Sequence, residues 1–257
     1  MGGFQKHGGT NFVSFSGIDG AGKSTQIDAL CARLREDGRS VLLIRFWDDI
    51  ARLTWLRESA GHTIFKGDKG IGSPSKPINR RDKNVQSWPM TWVRLFTYTI
   101  DAISLRIAVG RALRSGADLV IFDRYIYDEF ANLKLANRAI RAFVRIIMAF
   151  VPRPQISYLL DADPIKARAR KPEYPLDFLE TNRRSYLALN DLIGGMTVID
   201  PMPVEEVTRA VIRHALTELS FAFRNGSNDG GITTAEPCGD LATLDELDKG
   251  HTRPAAL

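Results

Sequence analysis

Lys23 stands between Gly22 and Ser24, and Gly17 lies five positions before Gly22. The run Gly17-Ile18-Asp19-Gly20-Ala21-Gly22-Lys23-Ser24-Thr25 therefore has the spacing of a phosphate-binding loop. Its chemistry asks something different of each residue. Glycines without Cβ let successive N–H groups curl around an oxyanion, and a helix starting at the lysine aims its positive end at the same charge. Lys23 supplies a cation for the outer phosphates, and the Ser24 hydroxyl is placed to complete an Mg²⁺ shell. A glycine-rich strand-to-helix turn with a solvated lysine has the same letters, so the flanks matter.

A second group with chemical potential is Asp123-Arg124-Tyr125, directly after the apolar run Leu119-Val120-Ile121-Phe122. An acid at a strand end can hold Mg²⁺ or its water, and the adjacent arginine can clamp phosphoryl oxygens through two N–H donors. Arg45 ends another apolar run, and two acids, Asp48 and Asp49, follow it closely. Either acid can serve as a general base or acceptor ligand, or simply cap a helix. Lys166, Arg168, Arg170 and Lys171 form a basic run that can close over donor phosphates.

These residues need a scaffold, and the patterning supplies one. Asn11 to Ser16 reads as a strand, and Ile27, Leu30, Cys31 and Leu34 recur at helical spacing until Gly38. Ser40–Phe46 reads as a second strand, with a helix over Ile50, Leu53, Trp55 and Leu56 behind it. Ser87 and Pro89 open a long helix ending at Gly116, on which Trp88, Trp92 and Phe96 align as core packing or as a base-stacking stripe. Strand three is Leu119–Phe122, and one helix is predicted from Tyr127 to Phe150, with Lys134, Arg138, Arg141 and Arg145 on its polar face. Gln155–Leu160 and Met196–Asp200 are the fourth and fifth strands, with Phe178–Leu192 helical between them. The last helix turns Val204, Val207, Val211, Ala215 and Leu219 inward. Strands alternating with helices predict α/β layers, with ligands at the carboxyl ends of a parallel sheet.

At 257 residues, 44% hydrophobic and 25% charged, the chain suits one sizeable domain. Residues 1–225 are expected to form it, and 226–257 to be an acidic disordered tail. Between Gly61 and Gln86 six Lys/Arg face two acids; between Ser227 and Leu257 six acids face Lys249 and Arg253. The basic segment, 61–87, reads as a flap over an anionic substrate or as a tolerated insertion. Within it Asn79-Arg80-Arg81-Asp82 imitates a guanine-specificity tetrapeptide but follows no strand, so a GTPase is set aside. Two cysteines, Cys31 and Cys238, make neither a disulfide framework nor a zinc site. Residues 1–10 lack the apolar run of a signal peptide, and no stretch is long and apolar enough to span a bilayer, so a cytoplasmic protein is expected. A net charge of +5 suits phosphate substrates without requiring nucleic acid. The expected partner is a small nucleotide, with no nucleic acid and no membrane, and with a homodimer left open.

With the phosphate loop, Asp123-Arg124-Tyr125, Leu160-Asp161-Ala162-Asp163-Pro164 with its basic run, and the segment Phe178 to Tyr186 in this order, the chain resembles thymidylate kinases from about Phe12 to His214. The resemblance implies a nucleoside monophosphate kinase fold, a P-loop NTPase of three α/β/α layers around a five-stranded parallel sheet. It implies transfer of the γ-phosphoryl of ATP to dTMP with Mg²⁺. By position, Gly17 to Thr25 would bind the ATP phosphates, and Asp19 would face the acceptor sugar. Lys23, Asp123, Arg124 and Arg170 would be catalytic, and Ser24 and Asp123 would hold the metal. Arg45, Phe96, Arg124 and Tyr125 would join Asp19 on the acceptor side. The chain departs from the family pattern after Arg45, where Phe46-Trp47-Asp48 stands, and after Phe96, where no arginine follows in the next turn and Ile100-Asp101-Ala102 stands instead. A deoxynucleoside-kinase-like enzyme with Asp48 or Asp49 as base, and a non-catalytic nucleotide-binding module, remain the alternatives.

Overall fold

β-Branched and aromatic residues in short runs, four of them closed by a glycine or an acid and the Val41–Arg45 run by its arginine, condense into five strands, all parallel. A computed structural model describes residues 10–50 and 88–219. The strands are β1 (Asn11–Ser16), β2 (Val41–Arg45), β3 (Leu119–Asp123), β4 (Ile156–Leu160) and β5 (Met196–Ile199), in the order β2-β3-β1-β4-β5. β1, which carries the phosphate loop, is thus central, with β3 and β4 beside it. The register sets Phe15 and Arg45 opposite Asp123, so the strands end level at one edge of the sheet.

Alternation along the strands builds the layers. Phe12, Leu42, Ile44, Val120, Phe122 and Leu159 face one side, and Val13, Phe15, Ile121, Tyr158 and Leu160 the other. On the first side pack α2 (Trp88–Ala112), α3 (Ile126–Phe130), α4 (Arg138–Phe150) and α6 (Leu176–Ile193). α1 (Lys23–Glu36) and α7 (Val204–Glu218) cover the second. A short helix, α5 (Pro164–Arg170), follows β4, with the Asp163 carboxylate capping it through the N–H groups of Ile165 and Lys166. The result is the α/β/α arrangement expected.

Several sequence expectations change. The predicted helix from Tyr127 to Phe150 is two: α3 stops at Phe130, and α4 restarts where the Asn137 side chain accepts the N–H groups of Ala139 and Ile140. Between them the Asn132 amide donates to the Asp128 carbonyl, a local bond that competes with helix continuation. α2 ends at Ala112, four residues before Gly116, through a tightened turn in which Arg114 and Ser115 bond three residues back. Trp92 and Phe96 are 65% and 62% exposed, so core packing does not explain their alignment. Val204, expected inward, is exposed. Behind β2, Phe46–Ile50 is a π-helical turn. The helix expected over Leu53 to Leu56, the segment 61–87 and the tail 226–257 lie outside the described residues.

Candidate functional site

The β1 strand delivers its loop to the middle of the sheet edge, and close packing explains its glycines. A Cβ on Gly20, whose φ is +81°, would stand 2.3 Å from the carbonyl oxygen of Ala167 in α5. One on Gly17 would stand 2.6 Å from the Leu160 carbonyl oxygen. Both strand β4 and helix α5 therefore press directly on the loop backbone. α1 begins without a side-chain cap, and its first residues, Lys23 to Gln26, line the cleft with their end of the helix dipole.

Lys23 is buried and folds back on its own loop, donating from Nζ to the carbonyls of Gly17 (2.8 Å) and Ile18 (2.9 Å). Burial, and then the neighbouring Arg124 charge, lower its pKa to about 8. It is not the solvated lysine of an ordinary turn.

β3 delivers Asp123 and Arg124. Burial raises the Asp123 carboxyl above its usual range, against the pull of Arg124 and Lys23. Arg124 adopts a left-handed backbone, φ 72°. Its guanidinium bridges two carboxylates, Asp19 of the loop and Asp128 of α3, the latter at 3.0 Å. Burial works against its charge, but Asp128 and Asp19 outweigh that and hold its pKa above the ordinary value. Asp128 also accepts from the Ser16 hydroxyl, the Tyr125 N–H and the Tyr186 phenol.

On the other side of the loop, Asp161 at the end of β4 is held by Arg183 of α6 through two bonds of 2.6 Å. α5 supplies Lys166 and Arg170 to the cleft, and Arg170 Nη1 lies 3.8 Å from where a Cβ on Gly22 would be. The cleft encloses about 940 Å³. It runs from the loop, Asp123 and Arg124 past α5 to an apolar end formed by Ile199, Pro201, Met202, Pro203, Val204 and Val207. Cations at one end and an apolar slot at the other suit a polyphosphate carrying a flat base.

The structure thus brings together Asp19 to Thr25, Asp123, Arg124 and Arg170 around one cavity. Gly17 and Ile18 form the start of the loop, where their carbonyls receive Lys23. Arg45 is exposed at the neighbouring strand end, close enough in charge to act on Asp123. Phe96 lies on the outer face of α2 and does not line the cavity. Tyr125 corrects the sequence expectation: it is fully buried, its hydroxyl donates to the Pro152 carbonyl at 2.5 Å, and it faces Phe122 and Tyr127. Its ring therefore cannot touch a ligand in the crevice. Asp49 accepts the Arg45 N–H at 2.7 Å, which gives it the work of a turn cap, and burial raises its pKa. Sequence reasoning missed Asp128, whose only signal was an acid five residues after Asp123. It also gave no role to Asp161, Arg183 or Tyr186.

Among the described residues no three His, Cys, Asp or Glu side chains cluster as a metal site. Ser24 and Asp123 both line the cavity with oxygen donors suited to Mg²⁺. Two protein ligands fit an ion that shares its shell with phosphate oxygens and water.

No family model matches the chain. It is similar to a probable thymidylate kinase of Pyrobaculum aerophilum, 30% identical over 185 residues that cover 69% of this chain and 81% of the relative. A probable thymidylate kinase of Pyrococcus abyssi is 28% identical over 81% of this chain and 98% of its own length. A thymidylate kinase of Bifidobacterium longum is 26% identical over the same shares.

Proposed function

From the membership of this chain in the thymidylate kinase family, which those relatives establish, we propose that it transfers the γ-phosphoryl group of ATP to dTMP, giving ADP and dTDP. One observation carries the reading: Lys23, Arg124 and Arg170 converge on a single cavity at the ends of β1 and β3, with an apolar slot beyond. The loop N–H groups and Lys23 hold the donor phosphates, with Lys23 leaving the carbonyls of Gly17 and Ile18 as phosphate oxygens replace them. Mg²⁺, held by Ser24 and Asp123, would neutralise charge on the donor phosphates when bound. Arg124, with Arg45 at the adjacent strand end, receives the acceptor phosphate, and Asp19 faces its sugar. An acceptor oxygen attacks the γ-phosphorus as the bond to the β-bridging oxygen breaks, and Arg170 and Lys23 stabilise the spreading charge.

Phe96, on the outer face of α2 and outside the cavity, is left out of the acceptor site. The catalytic domain is assigned to 1–225, since the described residues that line the cavity lie between Asp19 and Val207. Trp92, Phe96, Ile103 and Ile107 recur at spacings of four, seven and four on one face of α2, all exposed, which supports a homodimer. No described helix is long and apolar enough to cross a membrane, in keeping with work in the cytoplasm.

A panel of nucleoside monophosphates, nucleosides and sugar phosphates, read as ADP release, tests the assignment. We expect turnover of dTMP, and the same profile from a chain ending at Asn225. Turnover of thymidine but not dTMP would move the acceptor to a bare hydroxyl, a role for which Asp49 is poorly free because it caps the Arg45 N–H. ATP binding without turnover of any acceptor would overturn the kinase reading.

A further inference from the structure

We infer that Asp128 is a positioning residue for phosphoryl transfer, whose carboxylate, braced by Ser16 and Tyr186, fixes the Arg124 guanidinium against the phosphate loop before an acceptor arrives. The inference rests on the reading of Arg124 as the phosphate clamp. Asp128 sits third in the short helix α3, and its side chain is 1% exposed. One oxygen, Oδ2, accepts from Ser16 Oγ at 2.7 Å and from the Tyr125 N–H at 3.2 Å. The other, Oδ1, accepts from Arg124 Nη1 at 3.0 Å and from the Tyr186 hydroxyl at 2.7 Å. Closing the helix end needs only the Tyr125 bond, which a neutral hydroxyl can accept as well. A buried carboxylate is costly unless it is both paired and fully hydrogen-bonded. The charge is therefore explained by Arg124, and the other three donors by the need to keep the carboxylate still.

The two carboxylates that hold Arg124 differ in kind. Asp19 belongs to the loop and lines the cavity, so an incoming ligand can displace it. Asp128 lies behind the guanidinium, out of reach of solvent, and stays. Its brace is itself anchored, because Tyr186 lies one turn beyond Arg183 on α6, and Arg183 grips Asp161 at the end of β4. α6 is thus tied to the end of β4 through Arg183 and to α3, which follows β3, through Tyr186. Arg124 itself has a left-handed backbone, φ 72°, at the point where its guanidinium meets both carboxylates.

Asp128→Asn keeps the size but not the chemistry. All four partners are donors, so the amide NH₂ must meet a donor on one side or the other. In the full-length protein this variant is expected to lower the kcat for dTMP on the order of 100-fold, the scale of a misplaced catalytic group. In an Arg124→Gln background the same change should alter kcat by less than about twofold, because the residue acts only through Arg124. ¹⁵N spectra of the arginine side chains give a readout independent of turnover. Wild-type Arg124, assigned by its loss in Arg124→Gln, should show separate Nη signals from hindered rotation, and Asp128→Asn should merge them. If Asp128→Asn does not fold, Tyr186→Phe removes one brace without stranding the charge and should give a partial loss of both kcat and signal separation. Free rotation in the wild type, unchanged separation in the variants, or an equal kcat loss in the Arg124→Gln background would overturn the inference. A wild type silent toward every monophosphate would instead overturn the kinase reading, and the side-chain spectra would still decide the role of Asp128.

Discussion

Lys23 is 7% exposed, with its ammonium on the Gly17 and Ile18 carbonyls, so the group that must meet phosphate works against stability. Its folded pKa, about 8, lies below the unfolded 10.5, so the unfolded chain binds more protons between those values. The penalty is therefore full below pH 8 and fades as the pH rises to 10.5. It amounts to about 3 kcal/mol, less about 1 kcal/mol for each loop carbonyl that loses its donor when the lysine is removed. Lys23→Met is expected to abolish ADP release yet to be more stable than wild type by on the order of 1 kcal/mol at neutral pH. Thermal unfolding across pH 7 to 11 checks this, and the gain should turn into a small loss above the unfolded pKa. A destabilised variant at pH 7, or retained turnover, would contradict it.

The loop and α5 act as one unit at the scale of elements, because the Gly20 backbone touches the Ala167 carbonyl. Gly20→Ala is expected to push α5, with Lys166 and Arg170, away from the loop. An L residue at φ +81° adds about 1 kcal/mol of backbone strain to that clash. Titration with a non-hydrolysable ATP analogue should show at least tenfold weaker binding, the consequence of about 1.4 kcal/mol or more lost from loop contacts. Unchanged binding would mean that α5 does not help to hold the donor. The break between α3 and α4 belongs to this scale too. Asn132 and Asn137 divide the apolar pattern from Phe130 to Ile147, and the shorter α3 lets Asp128 turn inward at a helix start.

At the scale of the whole molecule, the exposed stripe of α2 departs from ordinary burial among the described residues. Trp92, Phe96, Ile103 and Ile107 are between 47% and 65% exposed. Covering what remains exposed of each side chain, about half, is favourable by about 1 kcal/mol. The protein is expected to sediment as a dimer, and Ile103→Glu with Ile107→Glu to shift it to monomer without changing its melting of secondary structure by more than a few degrees. A wild type that stays monomeric at high micromolar concentration would remove the homodimer from the proposal.

The sequence by itself determined the phosphate loop, the strand-end Asp123-Arg124 pair, the five strands and the α/β class. Those signals lie within runs of a few residues, where glycine spacing and period-two burial are imposed by local backbone geometry. Tertiary structure alone decided which groups meet across the chain. Arg124 reaches Asp19 over a separation of 105 residues, and Tyr186 reaches Asp128 over 58. It also decided that Lys23 is buried, that Tyr125 turns into the core although its neighbour Arg124 turns to the cleft, and that Trp92 and Phe96 stay outside. Neither pairing nor facing is encoded at short range, because both follow from the strand order β2-β3-β1-β4-β5, which sets β3 and β4 on either side of the loop only once the whole sheet has closed.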